Sequence, residues 1–272
     1  EVNQIQGVDS QLIWPNEISR LCPCLDVSQT PRYPILAALY HPPGGIIRHD
    51  AVVWGFAHHA DLHGIHIHQQ TKVTGINTQN GKVTSVQTNQ GKIKTGIVLN
   101  ATAGWASTVA AMVGIKLPLV TIPLQACVTE PLKPFLDVVV VSGSLHVYIS
   151  QSNRGELVMG ASVDPFPSYS MAGSLSSLES IAGHVLELFP SLNKVCVLRQ
   201  WAGICEMPPD YSPIMGTTPV DGFLLDVGWG TYGFKASPIA GKMLAESIAT
   251  GKTPELIFPF RLSRFAENQL VG

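Results

Sequence analysis

The sequence predicts a mixed α/β protein, in which strand-type and helix-type segments follow one another along the chain. Short β-branched runs bounded by turn residues, such as residues 82–87, are typical of strands. Longer runs with apolar residues at helical spacing, such as residues 175–189, are typical of helices. At 272 residues the chain is long enough for a sizeable core and one or two domains.

In the first part of the chain, residues 50–63 are predicted to form a helix, with Asp50 as its N-cap and Gly64 after its end. Asn80-Gly81 has the composition of a hairpin turn. Residues 101–113 begin with small residues at the end of a strand and continue as a helix. The strands predicted in this part are residues 65–68, 71–76, 82–87 and 96–100.

From residue 119 onwards the predicted strands are longer. The elements predicted in this part are strands at residues 120–129, 145–150 and 156–160 and a helix at residues 175–189. The chain continues with a strand at residues 222–227 and a helix at residues 239–249. Ser237 is predicted as the N-cap of that helix, Pro238 as its first residue and Gly251 as the residue after its end.

Composition and charge exclude several classes of protein. A net charge of −2 and a pI near 6.5 give no basic footprint for nucleic acid. No apolar run approaches the roughly 20 residues of a membrane span, and the amino terminus lacks a signal-peptide pattern, so we expect a cytoplasmic protein without membrane contact. Charged residues make up only 13%, against a usual roughly 25%, which suggests that a partner or a missing part of the chain covers some of the surface.

The cysteines and histidines do not form a metal-site pattern. Cys22-Pro-Cys24 is the only close pair among five cysteines and offers too few ligands for zinc. Most of the nine histidines lie between residues 41 and 68, without a His-Glu-x-x-His pattern. We therefore expect free thiols, surface histidines and no metal. Cys205 lies in a strand that leads towards the glycine-rich stretch at residues 228–233, so we expect that it can line a pocket.

The stretch Gly228-Trp-Gly-Thr-Tyr-Gly-Phe-Lys235 carries the strongest functional signal. Its three glycines allow the backbone to approach a flat ligand closely. The helix that follows directs its unpaired N–H groups and positive dipole end towards the same place, which suits a flavin ring that gains negative charge on reduction. A glycine turn that only joins a strand to a helix is the alternative, and the lysine within the stretch favours the site.

Four segments in the same order resemble the D-amino-acid oxidase and sarcosine oxidase group of flavoproteins. The Gly228 stretch resembles the group's carboxy-terminal flavin motif. Val98-Leu-Asn-Ala-Thr-Ala-Gly-Trp105 resembles the motif where a strand ends under FAD, and residues 201–216 resemble the strand pair that enters the last flavin loop. Pro42-Pro-Gly-Gly-Ile-Ile-Arg-His49 resembles the stretch of heterotetrameric sarcosine oxidase beta subunits whose histidine carries FMN covalently.

The resemblance implies an FAD-dependent amine-oxidase-like fold and a set of FAD contacts. The backbone of Val73 would touch the adenine, and the small-residue turn would lie under the FAD. Lys235 would hold the carboxylate of the substrate as a point charge beside the ring. The FAD contacts that the resemblance implies are Val73, Ala101, Gly104, Trp105, Gly228, Gly230, Thr231, Gly233 and Phe234.

His49 follows a stiff and then permissive turn at residues 42–45 and precedes Asp50. The resemblance implies that His49 is the covalent anchor of FMN, bonded through a ring nitrogen to a methyl group of the flavin. Arg48 and the start of the following helix suit the FMN phosphate. From the residues alone, an ordinary surface histidine is the alternative.

Two parts of the family pattern are missing. No strand, Gly-x-Gly-x-x-Gly turn and helix for the FAD pyrophosphate occurs, and Gly228 to Gly233 match only the letters of that pattern. The chain begins in what resembles the middle of the family's sequence, so we expect a truncated dinucleotide-binding lobe. The lysine that helps oxygen react in monomeric relatives has no counterpart in residues 155–160, which fits electrons that pass from FAD to FMN.

The resemblance also divides the chain into two lobes. Residues 1–48 would lead into the substrate lobe, and residues 114–211 would form it around a mixed or antiparallel sheet. Residues 49–113 and 212–272 would form the remainder of the FAD-binding lobe.

The function implied by the resemblance is flavin-dependent oxidation of a secondary amino acid, with sarcosine as the expected substrate and glycine and formaldehyde as products. The protein would be a subunit of a hetero-oligomer, with FAD at the substrate site and covalent FMN as electron relay. Two alternatives are a related proline or dimethylglycine dehydrogenase subunit and an inactive truncated lobe that only binds partner subunits.

Overall fold

A computed structural model describes residues 2–160 and 164–271, and the chain forms two compact units. The first unit comprises Glu1–His66, Leu124–Asp164 and Met171–Gly203. The second unit comprises Ile67–Pro123, Pro165–Ser170 and Ile204–Gly272. The two lobes predicted from the sequence are distinguished by the ligand that each would bind, and a division into compact units does not test that distinction. The lobe assignment therefore stays a prediction.

Helices and strands follow one another along the chain, which confirms the predicted mixed α/β class. The helices are α1 Val2–Ile5, α2 Pro15–Leu21, α3 His49–Leu62, α4 Ala106–Ala111, α5 Leu175–Leu188 and α6 Gly233–Thr250. The strands are β1 Gln11–Ile13, β2 Ala38–Tyr40, β3 Val73–Gln79, β4 Lys82–Thr88, β5 Gly91–Lys94, β6 Val98–Asn100, β7 Val120–Pro131, β8 Val140–Ser142, β9 Val147–Gln151, β10 Glu156–Gly160, β11 Val197–Met207, β12 Ile214–Thr217 and β13 Phe223–Val227. Short 3₁₀ helices cover Ala103–Trp105, Pro190–Leu192, Glu255–Phe260 and Leu262–Phe265.

The core of the first unit lies between a sheet and α5. The strands of this sheet lie in the order β11-β7-β10-β9-β8, and β7, β10, β9 and β8 pair antiparallel. Cys127, Ile149 and Leu157 on the sheet belong to one buried cluster with Ile181 and Val185 on α5. β1 and β2 form a separate two-stranded antiparallel sheet.

Helix α3 of the first unit has no buried residue. The side chains of Val53, Trp54 and Phe56 are 61%, 67% and 57% exposed, and Leu62 at the end of the helix is exposed as well. A surface helix normally buries an apolar stripe against its own core, and α3 presents these side chains to solvent instead. We refer to Val53, Trp54, Phe56 and Leu62 as the α3 surface.

The second unit contains two three-stranded sheets. β3, β4 and β5 form an antiparallel meander, while β12 pairs antiparallel and β6 parallel with β13. Ile76, Val83, Ile214, Phe223 and Leu225 share a buried cluster between them. The second unit therefore contains a parallel strand pair, β6 with β13.

Local sequence signals placed several elements correctly. Asn80 and Gly81 have φ of +51° and +74° in the turn between β3 and β4, as a two-residue hairpin requires. Helix α5 begins after Ser174, whose hydroxyl accepts a hydrogen bond from the amide of Ser177. Helix α6 ends at Gly251, which has φ of +69°.

The predicted start of the last helix is wrong. Helix α6 begins at Gly233, so Ser237 is not its N-cap and Pro238 lies inside the helix. Pro238 has no N–H for the carbonyl of Phe234, and the Ser237 hydroxyl donates a hydrogen bond to that carbonyl at 2.9 Å instead. This replacement bond explains how the helix continues through the proline.

Three other predicted boundaries also differ. Helix α3 begins at His49 with Arg48 as N-cap, because the Asp50 carboxylate is paired with Arg48 at 2.9 Å. Residues 65–68 form no strand, since Ile65 and Ile67 stay exposed and the alternating pattern has no core to face. The predicted helix at residues 101–113 is a 3₁₀ turn followed by the short α4.

Candidate flavin site

The parallel pairing of β6 with β13 brings two of the predicted flavin motifs to the same edge of a sheet. Val98 is opposite Phe223 and Asn100 is opposite Leu225, so both strands run in the same direction and end side by side. The small-residue turn, residues 101–106, begins after β6, and the glycine turn, residues 228–233, begins after β13. Ligands in α/β proteins bind beyond the carboxyl ends of parallel strands, and this edge is such a place.

The glycine turn has a backbone shape that depends on its glycines. Gly228 and Gly230 have φ of +72° and +55°, which lie in the left-handed region. Gly233 is the first residue of α6, and a Cβ atom there would lie 2.8 Å from the Cβ of Trp229. The shape of the turn therefore explains why glycines occupy positions 228, 230 and 233. Because these glycines have no side chains, the backbone at the start of the 18-residue helix α6 is exposed.

A cavity of about 340 Å³ lies at the start of α6. This volume falls within the roughly 300–1,000 Å³ of small-molecule pockets. The cavity brings together four of the predicted flavin contacts, Ala101, Gly230, Gly233 and Phe234. Its other lining residues are Ala103, Ile204, Cys205, Glu206, Asp226, Val227, Trp229, Ser237, Ala240 and Gly241.

Glu206, near the end of β11, is a buried carboxyl in this cavity and is only 4% exposed. One of its oxygens accepts a hydrogen bond from the N–H of Ala106 at 3.2 Å, and the other accepts one from the N–H of Gly228 at 2.8 Å. Burial raises the pKa of Glu206 to about 7, against the opposing effect of these two N–H groups.

Asp226 and Cys205 are the other titratable groups that line the cavity. Burial raises the pKa of Asp226, although its carboxylate accepts a hydrogen bond from the indole N–H of Trp229 at 2.7 Å. Burial also raises the pKa of the Cys205 thiol to about 11, so this thiol is not a nucleophile at neutral pH. The expectation that Cys205 lines a pocket is confirmed, and all five cysteines are free thiols.

The sequence interpretation missed Glu206 and Asp226. The signal that could have indicated them is a single acidic residue within an otherwise apolar strand, Ile204-Cys-Glu-Met207 in β11 and Phe223-Leu-Leu-Asp-Val227 in β13. Charged residues are seldom buried without a reason.

The small-residue turn after β6 is held by Asn100, which is 1% exposed. Its amide nitrogen donates to the carbonyl of Ala106 at 3.0 Å, and its amide oxygen accepts from the hydroxyl of Thr102 at 2.7 Å. Gly104 is buried, and any side chain there would overlap Ile204. The turn is therefore fixed from inside by an amide and by close packing.

The remaining predicted contacts of the second unit do not line the cavity. Trp105 is partly exposed, with its ring 6.2 Å from that of Tyr169. Thr231 is exposed, and Val73 begins β3, where it pairs with Thr88. Lys235 is exposed on the first turn of α6, and its Nζ lies 5.8 Å from the ring centroid of Tyr232.

His49 and Arg48 belong to the first unit. The His49 side chain is exposed at the first position of α3. Arg48 donates to Asp50 in an exposed ion pair at 2.9 Å, and this arginine lowers the pKa of the Asp50 carboxyl. The imidazole is thus accessible, and the guanidinium has a carboxylate partner that a phosphate would have to replace.

Two other features are absent from the part of the chain that the structure describes, a metal-binding cluster and a helix able to span a membrane. Among residues 2–160 and 164–271, no group of three or more histidine, cysteine, aspartate or glutamate side chains is arranged to hold a metal ion. Within the same ranges, none of the helices combines the length and the apolar character that crossing a bilayer demands.

The residues around the cavity fit a flavin ring on two grounds. Alanines and glycines leave room for a flat group against the backbone, and the first turn of α6 supplies N–H groups and a positive dipole end. Parallel strands that end beside a helix start are the arrangement by which α/β proteins bind nucleotide cofactors. The chain belongs to the FAD-dependent oxidoreductase family, whose sequence profile matches residues 1–247.

Within this family the chain is similar to sarcosine oxidase beta subunits. The subunit of Rhodobacter capsulatus is 44% identical over 269 residues, which are 99% of this chain and 64% of that protein. The subunit of Arthrobacter sp. is 40% identical over 271 residues, which are 100% of this chain and 67% of that protein. The chain thus spans about two thirds of the length of these relatives, and the resemblance inferred from its motifs is confirmed.

A solved structure confirms the amine-oxidase-like fold. L-proline dehydrogenase from P. horikoshii is similar to this chain with a TM-score of 0.89 and 31% sequence identity. The similarity covers 97% of this chain and 71% of that one.

Proposed function

We propose that this protein oxidises a secondary amino acid, with sarcosine as substrate, as one subunit of a hetero-oligomer that binds FAD. The cavity at the start of α6 carries the proposal, because it joins predicted flavin contacts from both motifs at one sheet edge. The 44% and 40% identity to sarcosine oxidase beta subunits supports the choice of substrate.

Bound FAD would supply the oxidising chemistry as the acceptor of a hydride equivalent from the N-methyl carbon of sarcosine. Hydrolysis of the oxidised amine would then give glycine and formaldehyde. The protein's own part is to hold the amine next to the ring and to stabilise the charge that the ring gains. The first turn of α6 would serve the second task, because Gly233 and Phe234 line the cavity and the first N–H groups of a helix are unpaired within it.

We assign the substrate carboxylate to Lys235. This lysine lies one residue beyond the cavity-lining Phe234, on the same first turn of α6. Its Nζ lies 5.8 Å from the ring centroid of Tyr232 and forms no ion pair with a described residue, so the ammonium group is available for an anion. A point charge beside the ring would fix the acid end of the substrate and so orient its N-methyl group.

We further propose that His49 holds FMN covalently and that Arg48 contributes to binding its phosphate. The support is the accessible imidazole at the first position of the 14-residue α3, where the backbone N–H groups are unpaired within the helix. Arg48 would exchange its partner Asp50 for the phosphate.

Partner subunits are proposed to cover the α3 surface. Trp54 and Phe56 are large aromatic side chains that are more than half exposed, and aromatic residues are enriched in protein interfaces. The name of the similar proteins, sarcosine oxidase subunit beta, indicates that they assemble with other subunits.

A second candidate substrate is L-proline, because the solved structure at 31% identity is an L-proline dehydrogenase. Sarcosine and proline are both secondary amino acids, so the same carboxylate site would serve either one. The hydride would leave the N-methyl carbon of sarcosine or a ring carbon bonded to the nitrogen of proline. The two proposals differ in the room around the N-substituent and the acceptor of the electrons.

Flavin reduction tests both proposals. The purified, flavin-loaded protein is mixed anaerobically with sarcosine, with L-proline or with glycine, which has no N-substituent, and the bleaching of the flavin absorbance is followed. Faster reduction by sarcosine than by proline supports the first proposal, and the reverse order supports the second. No reduction by either amine would refute both.

Acid precipitation tests the FMN proposal on the same preparation. FAD should be released into the supernatant and FMN should remain with the protein. His49→Ala should remove the acid-stable flavin and keep the FAD, whereas His58→Ala on the same helix should change neither. Acid-stable flavin on the His49 variant would show that another residue is the anchor.

A further inference from the structure

We propose that Glu206 is a positioning residue that joins the small-residue turn and the glycine turn of the candidate flavin site into one frame. The inference rests on the proposed function, because it concerns how the same FAD site is held together. It assigns no contact with substrate to Glu206.

Three hydrogen bonds connect Glu206 to both turns. Its Oε1 accepts from the N–H of Ala106, the first residue of α4, at 3.2 Å. Its Oε2 accepts from the N–H of Gly228 at 2.8 Å, and its backbone carbonyl accepts from the N–H of Gly230 at 3.1 Å. One residue on β11 therefore ties the start of α4 to two points of the glycine turn.

The chemistry of these partners requires a carboxylate. Both groups that meet the side chain are N–H donors, so each side-chain oxygen has to accept. An ionised carboxylate offers two accepting oxygens, whereas an amide of the same length would turn an NH₂ donor towards one of the two N–H groups. Glutamate is thus the residue type whose length and acceptors fit both partners.

Stability does not explain a carboxylate at this position. Asp210 in the same unit is buried as well, but it is paired with the guanidinium of Arg264 at 2.8 Å. Glu206 takes part in none of the ion pairs formed by the described residues. A buried carboxyl without a cation lowers the stability of the fold, and groups of this kind concentrate at functional sites.

The protonation state of Glu206 changes near neutral pH. Burial raises its pKa to about 7, and the other titratable groups that line the cavity are Cys205 and Asp226, whose pKa values burial also raises. The cavity-lining residues of α6 and of the glycine turn carry no titratable side chain. Ionisation converts an acid with one O–H donor into an ion that accepts from both turns.

The experiment compares the FAD-loaded protein with its Glu206→Gln variant between about pH 6 and pH 8. The dissociation constant of FAD in the unsubstituted protein should fall as the pH rises through 7, because the ionised carboxylate holds both turns. The variant should show no such step, and at pH 8 it should bind FAD about tenfold more weakly, which corresponds to one lost charge-assisted hydrogen bond. Near pH 6 the FAD affinities of the two proteins should differ little, and that agreement would also show that the variant folds.

Hydrogen exchange provides a second readout. The amides of Ala106 and Gly228 should both exchange faster in the variant at pH 8. Glu130→Gln is the matched control, because Glu130 lies in the other unit and accepts from the amide of Cys196 at 3.0 Å. That control should leave both the Cys196 amide protected and the FAD affinity unchanged, because the oxygen of a glutamine side chain can still accept from one N–H.

The outcomes separate this inference from the proposed function. FAD affinity within about twofold of the unsubstituted protein at pH 8, with both amides still protected, would overturn the role of Glu206 and leave the FAD site intact. An unsubstituted protein that binds no FAD would overturn the proposed function and this inference with it. Weaker FAD binding in the Glu130 control as well would show a general loss of folding and would also overturn the inference.

Discussion

Replacement of Glu206 by glutamine should remove a pH dependence from the stability of the protein. The carboxyl of Glu206 has a pKa of about 7 in the folded chain, against an ordinary value of 4.5, because burial disfavours its ionised form. Between these two pH values the unfolded chain has released the proton and the folded chain still holds it. Unfolding then releases a proton, so the free energy of unfolding falls as the pH rises.

The size of the effect follows from the same shift. Each unit of pKa corresponds to about 1.4 kcal/mol, so the loss reaches about 3 kcal/mol once the pH exceeds the folded-state pKa. The carboxyl is only 4% exposed, and solvent screening does not reduce this value much. In a chain of this length about 2 °C of melting temperature corresponds to each kcal/mol, which predicts about 6 °C.

Thermal unfolding followed by circular dichroism from about pH 5 to pH 8 tests the prediction on the unsubstituted protein and the glutamine variant. The melting temperature of the variant should rise relative to that of the unsubstituted protein as the pH increases. Cys205 and Asp226 are present in both proteins, so their own titration cancels in the difference. Melting curves that stay parallel over this range would refute the argument from burial.

Three further predictions concern Lys235, Arg264 and the α3 surface. Lys235→Ala should lower kcat/KM for sarcosine roughly ten- to hundredfold in steady-state assays, and Lys235→Arg should restore only part of the lost kcat/KM. Lys242→Ala on the same helix should leave kcat/KM unchanged. Arg264→Met should lower the free energy of unfolding, measured in urea, by about 3–5 kcal/mol, because it leaves Asp210 buried without its cation. A loss below about 1 kcal/mol would contradict the importance of this ion pair. Trp54→Ser should weaken assembly with partner subunits in gel filtration but change the free energy of unfolding by less than about 0.5 kcal/mol, since Trp54 is 67% exposed.

Local chemistry explains which parts of the fold could be predicted from sequence. Asn80-Gly81, Ser174 and Gly251 each satisfy a backbone requirement within a few residues, so their turn, cap and helix end follow from residue type. Gly228 and Gly230 in the glycine turn are of the same kind, because both have positive φ. Signals of this range do not depend on the rest of the molecule.

The remainder depends on contacts between distant residues. Glu206 receives its two N–H partners from segments 100 and 22 residues away, so no spacing in the sequence indicates them. The alternation of residues 65–68 predicted a strand, but Ile65 and Ile67 find no core to pack against. Pro238 predicted a helix start, and the Ser237 hydroxyl made that signal misleading by supplying the bond that the proline lacks.

The lack of any buried residue in α3 has a consequence for the order in which the protein matures. A helix of 14 residues is marginal in water when little tertiary packing supports it, so we expect α3 to open and close on its own until the proposed partner subunit covers it. His49 is the first residue of this helix, and its place relative to the proposed FMN would be fixed only while the first turn is formed. We therefore expect assembly with the proposed partner subunits to precede the proposed attachment of FMN, with newly made, unassembled chains carrying an unmodified histidine.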